Sequence, residues 1–317
     1  MIRTLRYINL ICCLLLAMRT YARPTAVSFY ICAHQDDWQL FMGASVFNDI
    51  NAGGERNTNA DSVKVVIIYT TSGDLHDSDD KMSCNCFDPH TKRKPRIPYW
   101  QVRETGAEHS LHLAACRPGG YGYPMPYPRH TTAVVVGHKI SRYEFKNTVS
   151  YYLRLKTAQY GAWYTDVRSP VEAIDKSTTY ADYSDFVKTI QAIYKTEMGV
   201  LPAQNVSFGF PDVNETENIN DHHDHLIVGR AAADAATQLS RETGACYKEM
   251  LFTDYHIKDL PANLADADKE NKAAIVGVYC LALLDYNAWP EWGSLYREWC
   301  ARSYFKVSNT CDAKSSH

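Results

Sequence analysis

The sequence predicts an α/β fold: one Rossmann-like domain with a mostly parallel sheet carrying helices on both faces. Three observations point there. Val27 to Ala33 is a compact β-prone run, helical spacing follows it, and Val63 to Thr70 is then near-continuously apolar, as in a strand covered on both sides. That β–α–β opening favours parallel pairing with right-handed crossovers. Finally, 317 residues with 45% hydrophobic and 22% charged content suffice for one large core and exclude wholesale disorder.

The N-terminus reads as a leader. Residues 1–22 begin with Arg3 and Arg6 and continue through an apolar stretch from Ile8 to Met18, too short to span a bilayer. Thr20-Tyr21-Ala22 supplies small residues at the −3 and −1 positions of a cleavage site. Residues 1–22 are therefore expected to be a removed signal peptide, residues 23–317 one domain, and the product secreted or periplasmic without an integral membrane span. Loss of three Arg and no acid takes the formal net charge from −3 to −6. No basic surface remains to attract nucleic acid. Of the 10 Cys, Cys12 and Cys13 leave with the leader, and the remaining eight are free to form disulfides in an oxidising compartment. Cys300 with Cys311 is the expected local pair, and Cys84 and Cys86 are expected disulfide partners.

Along the mature chain, Gln39 to Ile50 has apolar residues at helical spacing and is stopped by Asn51-Ala52-Gly53-Gly54. Ser72 to Pro98 is polar and loop-like, Tyr99 to Ala115 is helical, and Arg117 to Arg129 is a Gly-, Pro- and Tyr-rich loop. Strands are expected at Thr132 to Val136, Val149 to Leu155, Val206 to Phe210 and Met250 to Tyr255. Helices are expected at Tyr183 to Met198, His225 to Thr243 and Lys269 to Tyr286, the last closing the fold. Nothing in the sequence marks an internal repeat or a linker.

The chemistry lies in two short clusters. Ala33-His34-Gln35-Asp36-Asp37 follows the first strand, and Asp221-His222-His223-Asp224-His225 opens a later helix. Strand ends of an open parallel sheet form its usual ligand edge. Imidazoles and carboxylates from two loops are the donor set of a catalytic Zn²⁺, with Fe²⁺ or another divalent ion an alternative for the same ligands. A spare carboxylate would accept a proton from water and a protonated imidazole would deliver one to a departing amine. The plainer alternative is that Asp36 or Asp37, and Asp221 or Asp224, cap the helices that follow them.

Those motifs resemble the LmbE-like, or PIG-L, family of zinc-dependent N-deacetylases. Members carry Ala-His-Pro-Asp-Asp after the first strand and His-x-Asp-His later, here Ala33-His34-Gln35-Asp36-Asp37 and His222-His223-Asp224-His225. Tyr69-Thr70-Thr71-Ser72-Gly73-Asp74, Tyr99-Trp100-Gln101-Val102-Arg103-Glu104 and Tyr151-Tyr152-Leu153-Arg154-Leu155 extend the similarity over most of the chain. The resemblance implies His34, Asp37 and His225 as metal ligands and Asp36 as the base acting on the attacking water. It also implies His222 as the opposing acid, Asp224 as the group orienting a neighbouring His, and Arg103 as a contact to a sugar hydroxyl or phosphate. Asp74 would support the metal loop or serve only as a turn residue. Three positions depart from the pattern: Gln35 replaces Pro, Trp38 replaces an acid, and Asn220 stands where some members have Tyr.

The expected function is an exported, metal-dependent hydrolase that removes an N-acyl group, acetyl above all, from an amino sugar or glycoconjugate. Two alternatives stay open at this point: a non-catalytic glycan-binding protein of the same fold, and an acid-cluster phosphoesterase or sugar transferase. Aromatic rings at Tyr121, Tyr123, Tyr127, Tyr160, Trp163 and Tyr164 are candidates for stacking on sugar. Asn205 and Asn214 begin N-glycosylation patterns that matter only in a eukaryotic secretory route.

Overall fold

The computed structural model describes residues 24–52, 63–74, 81–83, 96–116, 127–157, 163, 166–214, 216–288 and 296–312. The leader and the Cys84/Cys86 pair lie outside the described residues. In chain order the strands are β1 (Ala26–Cys32), β2 (Val63–Thr71), β3 (Lys81–Ser83), β4 (Arg96–Pro98), β5 (Arg129–Val135) and β6 (His138–Phe145). There follow β7 (Thr148–Leu155), β8 (Val171–Glu172), β9 (Thr179–Tyr180), β10 (Val206–Pro211), β11 (Lys248–Phe252) and β12 (Phe305–Asn309). The helices are α1 (Gly43–Ile50), α2 (Tyr99–Ala115), α3 (Tyr183–Met198), α4 (His223–Thr243), α5 (Asp266–Asp285) and the short α6 (Arg297–Trp299).

Eight strands form one sheet in the order β12-β11-β10-β1-β2-β7-β6-β5. The central strands β11, β10, β1, β2 and β7 are parallel, and the edges β12, β6 and β5 are antiparallel. This is the mixed, mostly parallel α/β sheet that the sequence predicts. Alternation along β1 builds two cores. Val27, Phe29 and Ile31 pack with α3 and α4 on one face, whereas Tyr30 and Cys32 pack with α1, α2 and α5 on the other. A strand buried on both faces has no polar side to alternate, which is why β1 and β2 read as largely apolar runs.

Several elements differ from their predicted bounds. The helix expected at Gln39 to Ile50 begins as a π-helical turn, Trp38–Met42, and becomes α-helical only at Gly43. The strand expected at Thr132 to Val136 is half of a hairpin whose other half, β6, has no expected counterpart: its few apolar residues, Ile140 on one face and Tyr143 and Phe145 on the other, are interspersed with polar ones. Helix α4 starts two residues earlier than expected, because His222 caps it: the His222 Nδ1 accepts the Asp224 N–H. Nor does α5 close the fold. The chain returns through α6 to add β12 to the edge beside β11.

That last strand overturns the expected disulfide. Cys311 pairs with Cys246 and not with Cys300, which is a buried free thiol. Antiparallel pairing of Lys248 with Asn309 brings the residues just before β11 and just after β12 together, a register that local spacing could not reveal. Among the described residues no helix is long and apolar enough to cross a membrane.

Lys272 of α5 is fully buried, and its ammonium donates to the carbonyls of Trp299 and Arg302, pinning the C-terminal turn to the body. Burial pushes its pKa down from 10.5 to about 7. The unfolded chain thus binds more protons at this residue between those values, so its charge penalty is full below pH 7 and fades as pH rises. Denaturant unfolding from pH 7 to 10 should show stability rising in the parent protein, and Lys272→Met should flatten that slope. Reducing the Cys246–Cys311 bond, or replacing Cys246 by Ala, should lower unfolding free energy by about 2–5 kcal/mol, since the loop it closes spans 65 residues. Cys300→Ala should leave the crosslink intact on non-reducing peptide mapping.

Candidate metal centre

Four neighbouring parallel strands, β2, β1, β10 and β11, deliver their C-terminal ends to one edge of the sheet. Strand β1 continues into Ala33, whose carbonyl accepts the Thr71 N–H at 2.9 Å. His34 then turns back, its N–H donating to Asp37 Oδ2 at 2.7 Å. Gln35 donates from Nε2 to the Thr71 carbonyl at 3.0 Å and ties this loop to the end of β2. From the other side α4 approaches β10 closely enough that a Cβ on Gly229 would lie 2.4 Å from the Pro211 carbonyl oxygen. That close approach, one helical turn from His225, seats the imidazole against the β1 loop.

His34, Asp37 and His225 converge. His225 Nε2 lies 3.3 Å from His34 Nδ1 and 3.4 Å from an Asp37 oxygen, and His34 Nδ1 lies 3.5 Å from the other Asp37 oxygen. All three residues are buried. The far nitrogen of each imidazole meets carboxylate: His34 Nε2 is 3.1 Å from Asp224, and His225 Nδ1 is 2.9 Å from Asp221 and 3.0 Å from Asp254. Carboxylates behind imidazoles are the usual support of metal-ligating histidines, because they fix tautomer and ring orientation. Two imidazoles and one carboxylate around a common point, each braced from behind, fit a divalent cation.

The electrostatics show how much charge the site gathers. Burial alone would lower the pKa of His34, but Asp37 and Asp224 more than offset it and raise it to about 9. His225 behaves likewise: burial is outweighed by Asp221, Asp37 and Asp254, which hold its pKa well above the ordinary value. Burial would raise Asp37, and the two imidazoles overcome that and hold its carboxyl well below the usual range.

Asp36 has different partners from its neighbour Asp37. Its carboxylate lines a cavity of about 370 Å³ and accepts from Arg103 Nη2 on one oxygen and from the Tyr296 hydroxyl on the other. Neither acid takes the capping role left open by the sequence: Asp37 occupies the N-cap position of the π-helical turn without a side-chain capping bond. Arg103 reaches Asp36 from α2, with Nε donating to Tyr279 and Nη1 to the Gly73 carbonyl, both at 2.9 Å. The guanidinium expected to contact substrate is thus first a brace for Asp36, with two of its five N–H donors still unassigned. His222 also lines the cavity, and its ring sits 5.5 Å from that of His34. Burial lowers its pKa, and because Nδ1 accepts a backbone N–H the neutral ring carries its proton on Nε2.

The structure therefore brings together His34, Asp36, Asp37, Arg103, His222, Asp224 and His225. Asp74 acts as a turn residue, accepting from Ser72 Oγ and the Thr157 N–H. Asn220 lines the cavity in a left-handed conformation, φ 58°. Of the expected sugar-stacking rings, Trp163 is buried in the core against Phe186, and Tyr127 is exposed. Tyr121, Tyr123, Tyr160 and Tyr164 lie outside the described residues. The rings that do line the cavity are Tyr99, Tyr255, Tyr296 and Trp299. Sequence reading missed Asp254 and Tyr296. The first is a lone acid at a strand end, a signal available once the strand ends were aligned, and the second has no local signature at all.

No protein-family model and no curated protein matches the sequence. Solved structures do. One described as the antimicrobial reagent A40926 pseudoaglycone deacetylase Dbv21 aligns with TM-score 0.40 at 15% identity, covering 82% of this chain and 83% of that one. A zinc inhibited form of teicoplanin deacetylase Orf2 aligns with TM-score 0.37 at 15% identity over 80% of this chain and 83% of that one. A deacetylase–teicoplanin complex aligns with TM-score 0.38 at 14% identity over 80% of this chain and 86% of that one.

Gly73 tests the brace on Asp36 without touching a donor atom. At φ 61° a Cβ there would lie 2.3 Å from Arg103 Nη1 and 2.7 Å from Gln35 Oε1. Gly73→Ala should displace the guanidinium, leave bound-metal stoichiometry unchanged by elemental analysis, and lower turnover of any substrate the protein accepts by about tenfold or more, the scale of a misplaced catalytic group.

Proposed function

We propose that the chain is a zinc-dependent N-deacetylase that removes an acyl group from an N-acylated amino sugar or glycoconjugate. The observation that carries this is the division of labour at the β1 loop: in one cavity Asp37 faces His34 and His225, while the adjacent Asp36 is held by Arg103 and Tyr296 instead. His34, Asp37 and His225 would hold the cation. When bound, Zn²⁺ supplies Lewis acidity and brings the pKa of water toward ~7.

The chain's own groups then divide the proton traffic. Asp36, held by Arg103 and Tyr296, takes a proton from the attacking water as the new C–O bond forms at the acyl carbon. His222, with its hydrogen on Nε2, offers a donor to the oxyanion, or to the amine nitrogen as the C–N bond breaks. The proton on Asp36 is the other one available to that amine. Asp224 keeps the His34 ring oriented from behind. The two spare donors of Arg103 can meet a sugar hydroxyl or phosphate beside the acid they hold in place. Tyr99, Tyr255 and Tyr296 offer ring surface, and Thr157, Asn220 and Lys258 offer polar contacts, in a cavity of about 370 Å³, a size suited to one acylated sugar ring.

The same reading places the mature protein in a secreted or periplasmic setting after loss of residues 1–22. The Cys246–Cys311 crosslink supports it, because such bonds persist in oxidising compartments. Fe²⁺ or another divalent ion would suit the same ligands. The glycan-binding and phosphoesterase alternatives gain nothing from the geometry: Asp36 is poised as a base, and the imidazoles converge with the acids.

Metal-loaded protein incubated with N-acetylglucosamine-containing glycans should release free amine. Asp36→Ala should keep its metal and lose about 10²–10⁴-fold in rate, the range for a general base. His225→Ala should lose the metal. An Asp36→Ala protein without metal, or a His225→Ala protein that keeps both metal and activity, would sink the assignment.

A further inference from the structure

Asp254 sits just beyond β11 and is fully buried, yet its carboxylate does none of the ordinary structural work of an aspartate. It stands before the 3₁₀ turn Tyr255–Asp259 without capping it. Its backbone is anchored independently, the Asp254 N–H donating to Asn218 Oδ1 at 2.7 Å while Asn218 holds the carbonyls of Asp212 and Phe252. Neither carboxylate oxygen has a hydrogen-bond donor in line with it. What Oδ2 does face, at 3.0 Å, is His225 Nδ1. The aligned acceptor for that nitrogen is Asp221, which also accepts the His222 N–H and so helps to shape the start of α4.

A buried acid without a donor is costly, and a second acid on one imidazole nitrogen is more than tautomer control requires. The cost falls on the cation-free protein, where Asp37, Asp221 and Asp254 crowd His225 with negative charge. A dication on the opposite nitrogen changes the sign of that balance: carboxylates behind a ligating imidazole raise its basicity and strengthen the bond to the metal. From this placement we infer that Asp254 is a positioning residue of the metal centre, acting through His225 to tighten the hold on a divalent cation. The inference rests on the metal reading above and adds to it a residue outside both sequence motifs.

The full-length chain, stripped with a chelator and titrated with Zn²⁺ against a chromophoric competitor, separates the two claims. The parent protein should bind one Zn²⁺, and Asp254→Asn should bind it 10- to 100-fold more weakly, as loss of a carboxylate behind a ligating imidazole does elsewhere. The melting temperature of metal-free Asp254→Asn should match or exceed that of the parent. Asp221→Ala, which also loses the acceptor of the His222 N–H, should lower both affinity and metal-free melting temperature. Affinity of Asp254→Asn within twofold of the parent overturns the inference and leaves the metal reading standing. So does an Asp254→Asn chain that cannot fold without metal, because the carboxylate would then serve the fold. A parent protein that binds no Zn²⁺ overturns the metal reading itself.

Discussion

The meeting of His34 and Asp37 with His225, 188 residues beyond Asp37 in the sequence, is the constraint around which this molecule is arranged. Buried imidazoles and carboxylates are expensive to desolvate, and they are tolerable only where each is paired. Here His34 meets Asp224 and His225 meets Asp37 across the boundary between the β1 loop and the first turn of α4. Parallel pairing of β1 with β10 sets the two segments side by side, and the missing side chain at Gly229 lets the helix come close enough for the contact. The sheet order reverses between these two strands, with β2 and β7 added on one side of β1 and β10 and β11 on the other, the position at which open α/β sheets form ligand clefts.

Around that contact the site is built in shells of opposite charge. Asp36, Asp37, Asp221, Asp224 and Asp254 gather at one strand edge, and Arg103 is braced against the outermost of them. The acids facing His34 and His225 raise the pKa of both imidazoles against the effect of burial. The C-terminal turn completes the arrangement: Lys272 pins it by two carbonyls, and it brings Tyr296 onto the second oxygen of Asp36.

Much of this was legible in the sequence, for physical reasons that also mark the limits. Strands buried on both faces, such as β1 and β2, announce themselves as apolar runs, and α2 and α3 have helical spacing matching their observed bounds. The two His/Asp clusters sit where such strands end, so their meeting could be anticipated. Elements without a regular apolar pattern were harder. The β6 strand has three apolar residues split between its two faces, and β12 is largely exposed, so neither stands out from loop sequence. Missing β12 also misassigned the partner of Cys311, since that pairing follows from strand register. Asp254 and Tyr296 are single residues brought in by the tertiary fold, and no local pattern distinguishes them from any other acid or tyrosine. Arg103 was legible as a site residue, but its bond to Asp36 was not.

The most direct measurement of the central claim is X-ray absorption at the zinc edge on the loaded, full-length protein. Ligation by His34, Asp37 and His225 predicts a first shell of nitrogen and oxygen at about 2.0–2.2 Å with the outer-shell scattering of two imidazoles, lost in His225→Ala. A shell containing sulfur, or one without imidazole scattering, would contradict it.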